Sequence, residues 1–141
     1  MSKIPIGILH SQTGVMSLSE KPLIDAALMA VEEINASGGI LRAEIDPLVA
    51  DGASVPSSFA KAARDLIDSG GAVSMFGCWT SASRKAVKPV VEERGSLLWY
   101  PVQYEGLEQS PSIFYTGSVM NQQIEPATLW IMKHLGKRCV T

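Results

Sequence analysis

Phe76-Gly77-Cys78-Trp79-Thr80-Ser81-Ala82-Ser83-Arg84-Lys85 is the stretch whose reading decides the fold. An apolar run from Ala72 to Phe76 stops at Gly77. Three hydroxyl residues, Thr80, Ser81 and Ser83, follow it, and helical periodicity then begins. That pattern predicts a strand, a tight turn and the N-terminus of a helix. The first N–H groups of a helix have no backbone partner, and the helix dipole is positive there. Thr80, Ser81 and Ser83 can cap those groups or share them with a ligand. Trp79 adds a flat apolar wall. A polar small molecule with a carbonyl oxygen would suit this corner.

The same alternation extends outward in both directions. Ile4 to Leu9 reads as a buried strand, and Ser11-Gln12-Thr13-Gly14 as a polar loop. From Pro22, Leu23, Ala26, Ala27, Ala30, Val31 and Ile34 recur at helical spacing. Asn35 to Gly39 stops that helix. Ile45 to Ala50 is a second strand, which Pro47 assigns to an edge or a strand end. Pro56 opens a helix with Phe59, Ala62, Ala63, Leu66 and Ile67 inward, closed by Ser69-Gly70-Gly71. Ala72 to Phe76 is the third strand. The third helix runs from Ser81 to Arg94 with Ala82, Ala86, Val87, Val90 and Val91 inward, and Pro89 predicts a kink or the start of a second short piece. Ser96 to Tyr100 is a fourth strand ended by Pro101, and Ile113 to Tyr115 a fifth. Asn121 to Leu135 is a fourth helix, and Arg138 to Thr141 the start of another strand.

Such alternation predicts an α/β fold: three layers, a mainly parallel sheet and helices on both faces, flavodoxin- or Rossmann-like. Ligands of such sheets bind beyond the carboxyl ends of the strands. That rule selects Ser11 to Gly14, Asp51 to Ser54, Trp79 to Ser81, Pro101 to Tyr104 and Thr116 to Asn121.

With 141 residues, 46% hydrophobic and 18% charged, residues 1–141 form one domain or a large part of one. A net charge of −2 gives no electrostatic reason to expect nucleic acid or an anionic membrane. Cys78 and Cys139 stand far apart with no CxxC or Cys/His cluster, so neither a metal site nor a disulfide framework is expected. Cys78 reads as a buried free thiol. The N-terminus carries no visible secretory leader, and no window reaches the ~20 apolar residues of a membrane span. The chain as given is expected to be soluble and cytoplasmic, or periplasmic if a leader was removed.

The motifs of nucleotide cofactors and P-loops, GxGxxG and GxxxxGK[ST], are absent, as are GxSxG and HExxH. No cofactor is implied. His10 and His134 are isolated and read as structural. The tract Leu98-Trp99-Tyr100-Pro101-Val102-Gln103-Tyr104-Glu105-Gly106 places two tyrosines beyond a strand end. Tyr100 can enclose a small polar molecule, while Tyr104 either does so or packs under its loop. Glu105 reads as solvated and Asn121 as a helix cap. A small enzyme using Tyr100 or His10 as acid or base is disfavoured, because no nucleophile is paired with a base.

Gly77-Cys78-Trp79-Thr80-Ser81-Ala82-Ser83-Arg84-Lys85-Ala86-Val87, Tyr100-Pro101-Val102-Gln103-Tyr104-Glu105-Gly106 and Asn121-Gln122-Gln123 resemble the urea and short-chain amide-binding proteins of the type I periplasmic binding protein family. That branch includes the substrate-binding subunit of urea ABC transporters and the cytosolic amide sensor of amidase operons. Ile6 to Ser11 and Ala27 to Gly39 fit it as well. The resemblance implies non-catalytic binding of urea or a short-chain amide, with Trp79, Thr80, Ser81, Tyr100, Val102 and Gln103 around the ligand. It implies an ABC permease, or alternatively a regulator protein, as partner. Family members have two lobes, and this sequence matches most of the N-terminal one. An unpaired sheet edge where the chain stops would invite a homodimer.

Overall fold

The computed structural model describes residues 2–136. Nine elements follow one another: β1 (Lys3–His10), α1 (Ser17–Ala36), β2 (Glu44–Asp51), α2 (Pro56–Asp68), β3 (Ser74–Gly77), α3 (Ser81–Arg94), β4 (Leu97–Tyr100), β5 (Ile113–Tyr115) and α4 (Met120–Leu135). The five strands form one parallel sheet in the order β2-β1-β3-β4-β5. β2 lies at an edge, as Pro47 predicts. The chain winds outward from β1 to β2, then continues on the other side of β1 with β3. The direction reverses between β1 and β3, and a crevice opens at the carboxyl ends of such a strand pair. Leu9 stands opposite Gly77 there.

Strand alternation sends residues to opposite faces. Leu9, Met75, Leu98, Tyr100 and Ile113 pack beneath α2 and α3 with Phe59, Ala63, Leu66, Val87, Val90 and Val91. On the other face Ile4, Ile6, Ile8, Ile45 and Phe76 line a cavity of about 230 Å³ together with Ala27, Ala30, Val31 and Ile34 of α1. That second face is covered only in part. Phe76, Trp99 and Phe114 lie side by side across β3, β4 and β5, with centroids 6.0 and 4.3 Å apart. Phe76 and Phe114 remain exposed. No residue of α4 is buried.

The structure changes several expectations. α1 starts at Ser17 rather than Pro22, and its buried residues are Glu20, Ile24 and Val31. Ala26 faces solvent. Pro89 does not divide α3, which runs unbroken from Ser81 to Arg94 with its apolar face held down by Val87, Val90 and Val91. Asn121 does not cap α4. Val119 is the N-cap residue, and its N–H donates to the Gln122 side-chain carbonyl at 2.9 Å. The strand expected at Arg138 to Thr141, and Cys139 with it, lie outside the described residues.

Candidate functional site

The corner is built first by backbone geometry. Gly77 takes φ +152°, and Cys78 follows at +64° in the left-handed region. The Cys78 N–H donates to the Leu9 carbonyl at 2.9 Å, tying the end of β3 to β1. The Cys78 side chain is fully buried, and burial pushes its thiol up to about 12. It is the buried free thiol that the sequence predicts. Iodoacetamide at pH 8 should leave Cys78 unmodified in the native chain and alkylate it in denaturant, as read by peptide mass mapping; native alkylation would contradict this burial.

Thr80 is the N-cap of α3. Its hydroxyl oxygen accepts from the Ser83 N–H at 3.1 Å, and the Ser83 hydroxyl donates to the Thr80 carbonyl at 2.8 Å. The Arg84 N–H also reaches that carbonyl, at 3.0 Å. The amides of Ser81 and Ala82 are thus left at the mouth of the helix, where the dipole is positive.

Arg84 organises everything around that mouth. Its guanidinium is buried. Nε donates to Glu108 at 2.9 Å, Nη2 to Glu105 at 3.0 Å and Nη1 to the Ser81 hydroxyl oxygen at 3.2 Å. Tyr100, Tyr104 and Tyr115 surround it, with ring centroids 4.8, 4.9 and 5.9 Å from its central carbon. Tyr104 stacks on Tyr115 at 4.6 Å, so it packs under its loop. Burial alone would lower the basicity of Arg84, but Glu108 and Glu105 raise it. Burial would likewise raise Glu108, yet the bonds from Tyr115 and Arg84 hold it below the usual carboxylate range. Glu105 is not merely solvated. Lys85 at 2.7 Å and the Ser81 hydroxyl at 2.5 Å depress it strongly, with help from Arg84. These contacts bolt the connection between β4 and β5 onto the first turns of α3.

The six residues selected from the sequence are distributed unevenly about this corner. Trp79 is half-buried, and its carbonyl accepts the Tyr100 hydroxyl at 2.9 Å. Thr80 and Ser81 stand at the helix mouth. Tyr100 is 1% exposed and sits in the core. Val102 packs half-buried against the core, and Gln103 is exposed. Trp79, Thr80, Ser81 and Tyr100 are brought together. Val102 and Gln103 instead meet Gly117, whose missing Cβ admits their backbone.

Glu20 and Arg84 escaped sequence reasoning, and Asp51 was selected only as part of its loop. Glu20 is buried on α1 and accepts both the Ser11 N–H at 2.9 Å and His10 Nδ1 at 3.1 Å. Its only signal in the sequence was an acidic residue on the first turn of a helix after a strand. Arg84 was given no role in the sequence reading. Asp51 ties the first two loops together. One oxygen accepts the N–H groups of Gln12 (2.7 Å), Thr13 (3.2 Å) and Ala53 (2.7 Å), while the other accepts the Thr13 hydroxyl (2.7 Å). Burial would raise Asp51, but these bonds outweigh it and hold the carboxyl below its ordinary value. A depressed acid stabilises the fold above its unfolded value of about 3.9 and loses that contribution as pH falls through the folded value. Asp51→Asn should therefore cost about 1–2 kcal/mol at pH 7. The difference from the parent chain should shrink below about pH 3.9, as measured by denaturation midpoints across pH. An unchanged difference at pH 3 would refute the charge-assisted role.

Among the described residues the corner offers hydrogen-bond donors, acceptors and aromatic surface, and its charges are mutually paired. The chain matches the family described as periplasmic binding protein domain over residues 4–141. Among solved structures it is similar to the branched-chain amino acid transporter substrate binding protein LivJ from Streptococcus pneumoniae str. Canada MDR_19A in complex with isoleucine. The TM-score is 0.83 at 21% identity, over 96% of this chain and 39% of that one. It is also similar to the leucine binding protein LivK of Thermotoga maritima MSB8, with a TM-score of 0.84 at 21% identity over 94% and 38% of the two chains. A third relative is a solute binding protein of an ABC transporter from Rhodopseudomonas palustris BisB5 in complex with 3,4-dihydroxy benzoic acid. Its TM-score is 0.82 at 18% identity, over 93% of this chain and 36% of that one. The chain thus spans less than two fifths of the length of these structures, and at such identities the likeness is one of fold. The family match runs from the first strand to the last residue: this chain belongs to the periplasmic binding protein domain family.

Proposed function

We propose that residues 1–141 are the N-terminal lobe of a substrate-binding subunit of an ABC transporter that captures urea or a short-chain amide without chemical conversion. The observation that carries this reading is the hydrogen-bond state of Ser81. Its hydroxyl proton goes to Glu105, and one lone pair is taken by Arg84. A hydroxyl oxygen has two lone pairs, so one remains to accept a ligand N–H. The Ser81 and Ala82 amides beside it suit a carbonyl oxygen. A carbonyl flanked by N–H groups is an amide or a urea.

Charge supports the same choice. A free amino acid brings a carboxylate and an ammonium, and each needs a counter-charge once desolvated. At this corner Arg84 and Lys85 are already paired with Glu105 and Glu108. The ligands named with the similar structures, isoleucine and leucine among them, fit it less well than a neutral amide. Trp79 would cover the ligand, with Val102 and Gln103 beyond it, and a second lobe would close over the site by hinge motion. Delivery to a permease places the parent protein in the periplasm.

In the full-length parent, Ser81→Ala and Trp79→Ala should each weaken urea or acetamide binding at least tenfold by calorimetry, a loss of about 1.4 kcal/mol or more. Binding of leucine in preference to both amides, or unchanged affinity in both variants, would overturn the assignment.

A further inference from the structure

Ser81 owes the direction of its hydroxyl proton to one residue of the connection between β4 and β5. Ser81 Oγ lies 2.5 Å from Glu105 Oε2 and 3.2 Å from Arg84 Nη1. Arg84 can only donate, and an ionised carboxylate can only accept, so the Ser81 proton points at Glu105. Glu105 is itself held in place. Its other oxygen, Oε1, accepts from Arg84 Nη2 at 3.0 Å and lies 2.7 Å from Lys85 Nζ. Lys85 and Ser81 hold the carboxyl far below its ordinary range, so it is ionised at neutral pH. Arg84 is anchored in turn by Glu108 at 2.9 Å. Two cations, Arg84 and Lys85, and two carboxylates, Glu105 and Glu108, leave this cluster with no net charge.

We propose that Glu105 makes this corner select an amide over the corresponding carboxylic acid, by fixing Ser81 Oγ as an acceptor toward the ligand. The selection rests on the placement of the ligand at Ser81 proposed above. An amide presents N–H groups where a carboxylate presents a second oxygen. The remaining lone pair of Ser81 attracts an N–H and repels a carboxylate oxygen. With its proton held by Glu105, the hydroxyl cannot turn to suit the acid. Arg84 and Lys85 offer the acid no unpaired charge either. Glu105 acts through Ser81 and is a positioning residue.

Glu105→Gln should reverse the arrangement. The introduced side-chain carbonyl goes to the two cations, Arg84 and Lys85, and its NH2 group then faces Ser81. Ser81 Oγ accepts from that group and from Arg84, so both lone pairs are taken and its own proton turns outward. The cluster also gains one positive charge. Both changes favour a carboxylate oxygen where the amide nitrogen sat. A merely structural role for Glu105 would weaken every ligand alike and leave the order of preference unchanged.

Calorimetry on the full-length parent tests this, with acetamide and acetate as the probes. The unmodified parent should prefer acetamide by about tenfold or more. Glu105→Gln should bind acetamide about tenfold more weakly and acetate about tenfold more tightly, which inverts the order. An acetamide preference that survives unchanged in Glu105→Gln overturns the proposal and leaves the amide reading of the site standing. A parent that binds neither probe overturns both. Should the variant fail to fold, nuclear magnetic resonance on the unmodified parent, labelled at serine, decides. The Ser81 hydroxyl proton should give a resolved, slowly exchanging signal with a nuclear Overhauser contact to the Glu105 side chain. Loss of that signal through rapid exchange with water would overturn the proposal.

Discussion

Gly77→Ala should abolish stable folding or destabilise the lobe by roughly 3–5 kcal/mol. A Cβ at this position would fall on the Leu9 carbonyl, with the Leu9 carbonyl carbon only 2.7 Å away. Both groups are backbone, so no side chain can swing aside. A φ of +152° adds strain that L-residues seldom adopt. Relief requires β3 to pull away from β1, which breaks the bond from Cys78 to Leu9 and moves the helix mouth with it. Urea denaturation measures the effect through the midpoint at constant slope. A loss below about 1 kcal/mol would show that the junction between β1 and β3 is not the tight joint described above.

Arg84→Met should cost about 3–5 kcal/mol, because it removes one partner of a buried ion cluster and leaves the others. Arg84 has no exposed side-chain surface, and Glu108 is only 13% exposed. Met fills the volume but donates nothing, so Glu108 keeps only the Tyr115 hydroxyl at 2.8 Å. Arg84→Lys should rescue little, since a point charge cannot reach Glu105, Glu108 and Ser81 together. The double change Arg84→Met with Glu108→Gln should recover part of the loss, which a double-mutant cycle reads. The pH dependence has a definite sign. Glu105 and Glu108 are both depressed in the fold. Their contribution is present above the ordinary glutamate value of about 4.3 and is lost as pH falls below it. The parent chain should therefore lose stability in acid more steeply than Arg84→Met. Parallel acid profiles, or a loss under 1 kcal/mol at pH 7, would remove Arg84 from its central place.

Much of the fold was legible because strands and helices here are bounded by strong local signals. Pro56 and Ser69-Gly70-Gly71 bracket α2, whose ends are Pro56 and Asp68. Pro47 marks the edge strand, and β5 runs from Ile113 to Tyr115 as read. The misreadings share one cause. Helical spacing shows that α1 has an apolar stripe, but the sheet it meets determines which residues turn inward, so Ile24 and Glu20 are buried and Ala26 is not. Pro89 carries a real local cost, which packing by its neighbours offsets.

The candidate site divides in the same way. A strand ending in glycine before a run of hydroxyls already required a capped helix mouth beside an aromatic residue, because unpaired N–H groups must find partners within the next few residues. Trp79, Thr80 and Ser81 were singled out by that local logic together with the family resemblance, and Thr80 does cap α3. Arg84, Glu105, Glu108 and Tyr115 are separated by up to 31 positions in the chain, and His10 meets Glu20 across a loop. Their charges and rings are paired only when β1, β3, β4 and β5 lie side by side. Local chemistry therefore located the capped helix mouth. Only the packed sheet decided which charges are already paired, which hydroxyl keeps a free lone pair, and that Tyr100 lies within the core. The physical reason is that desolvation and charge pairing depend on neighbours brought together by folding, whereas capping depends on neighbours along the chain.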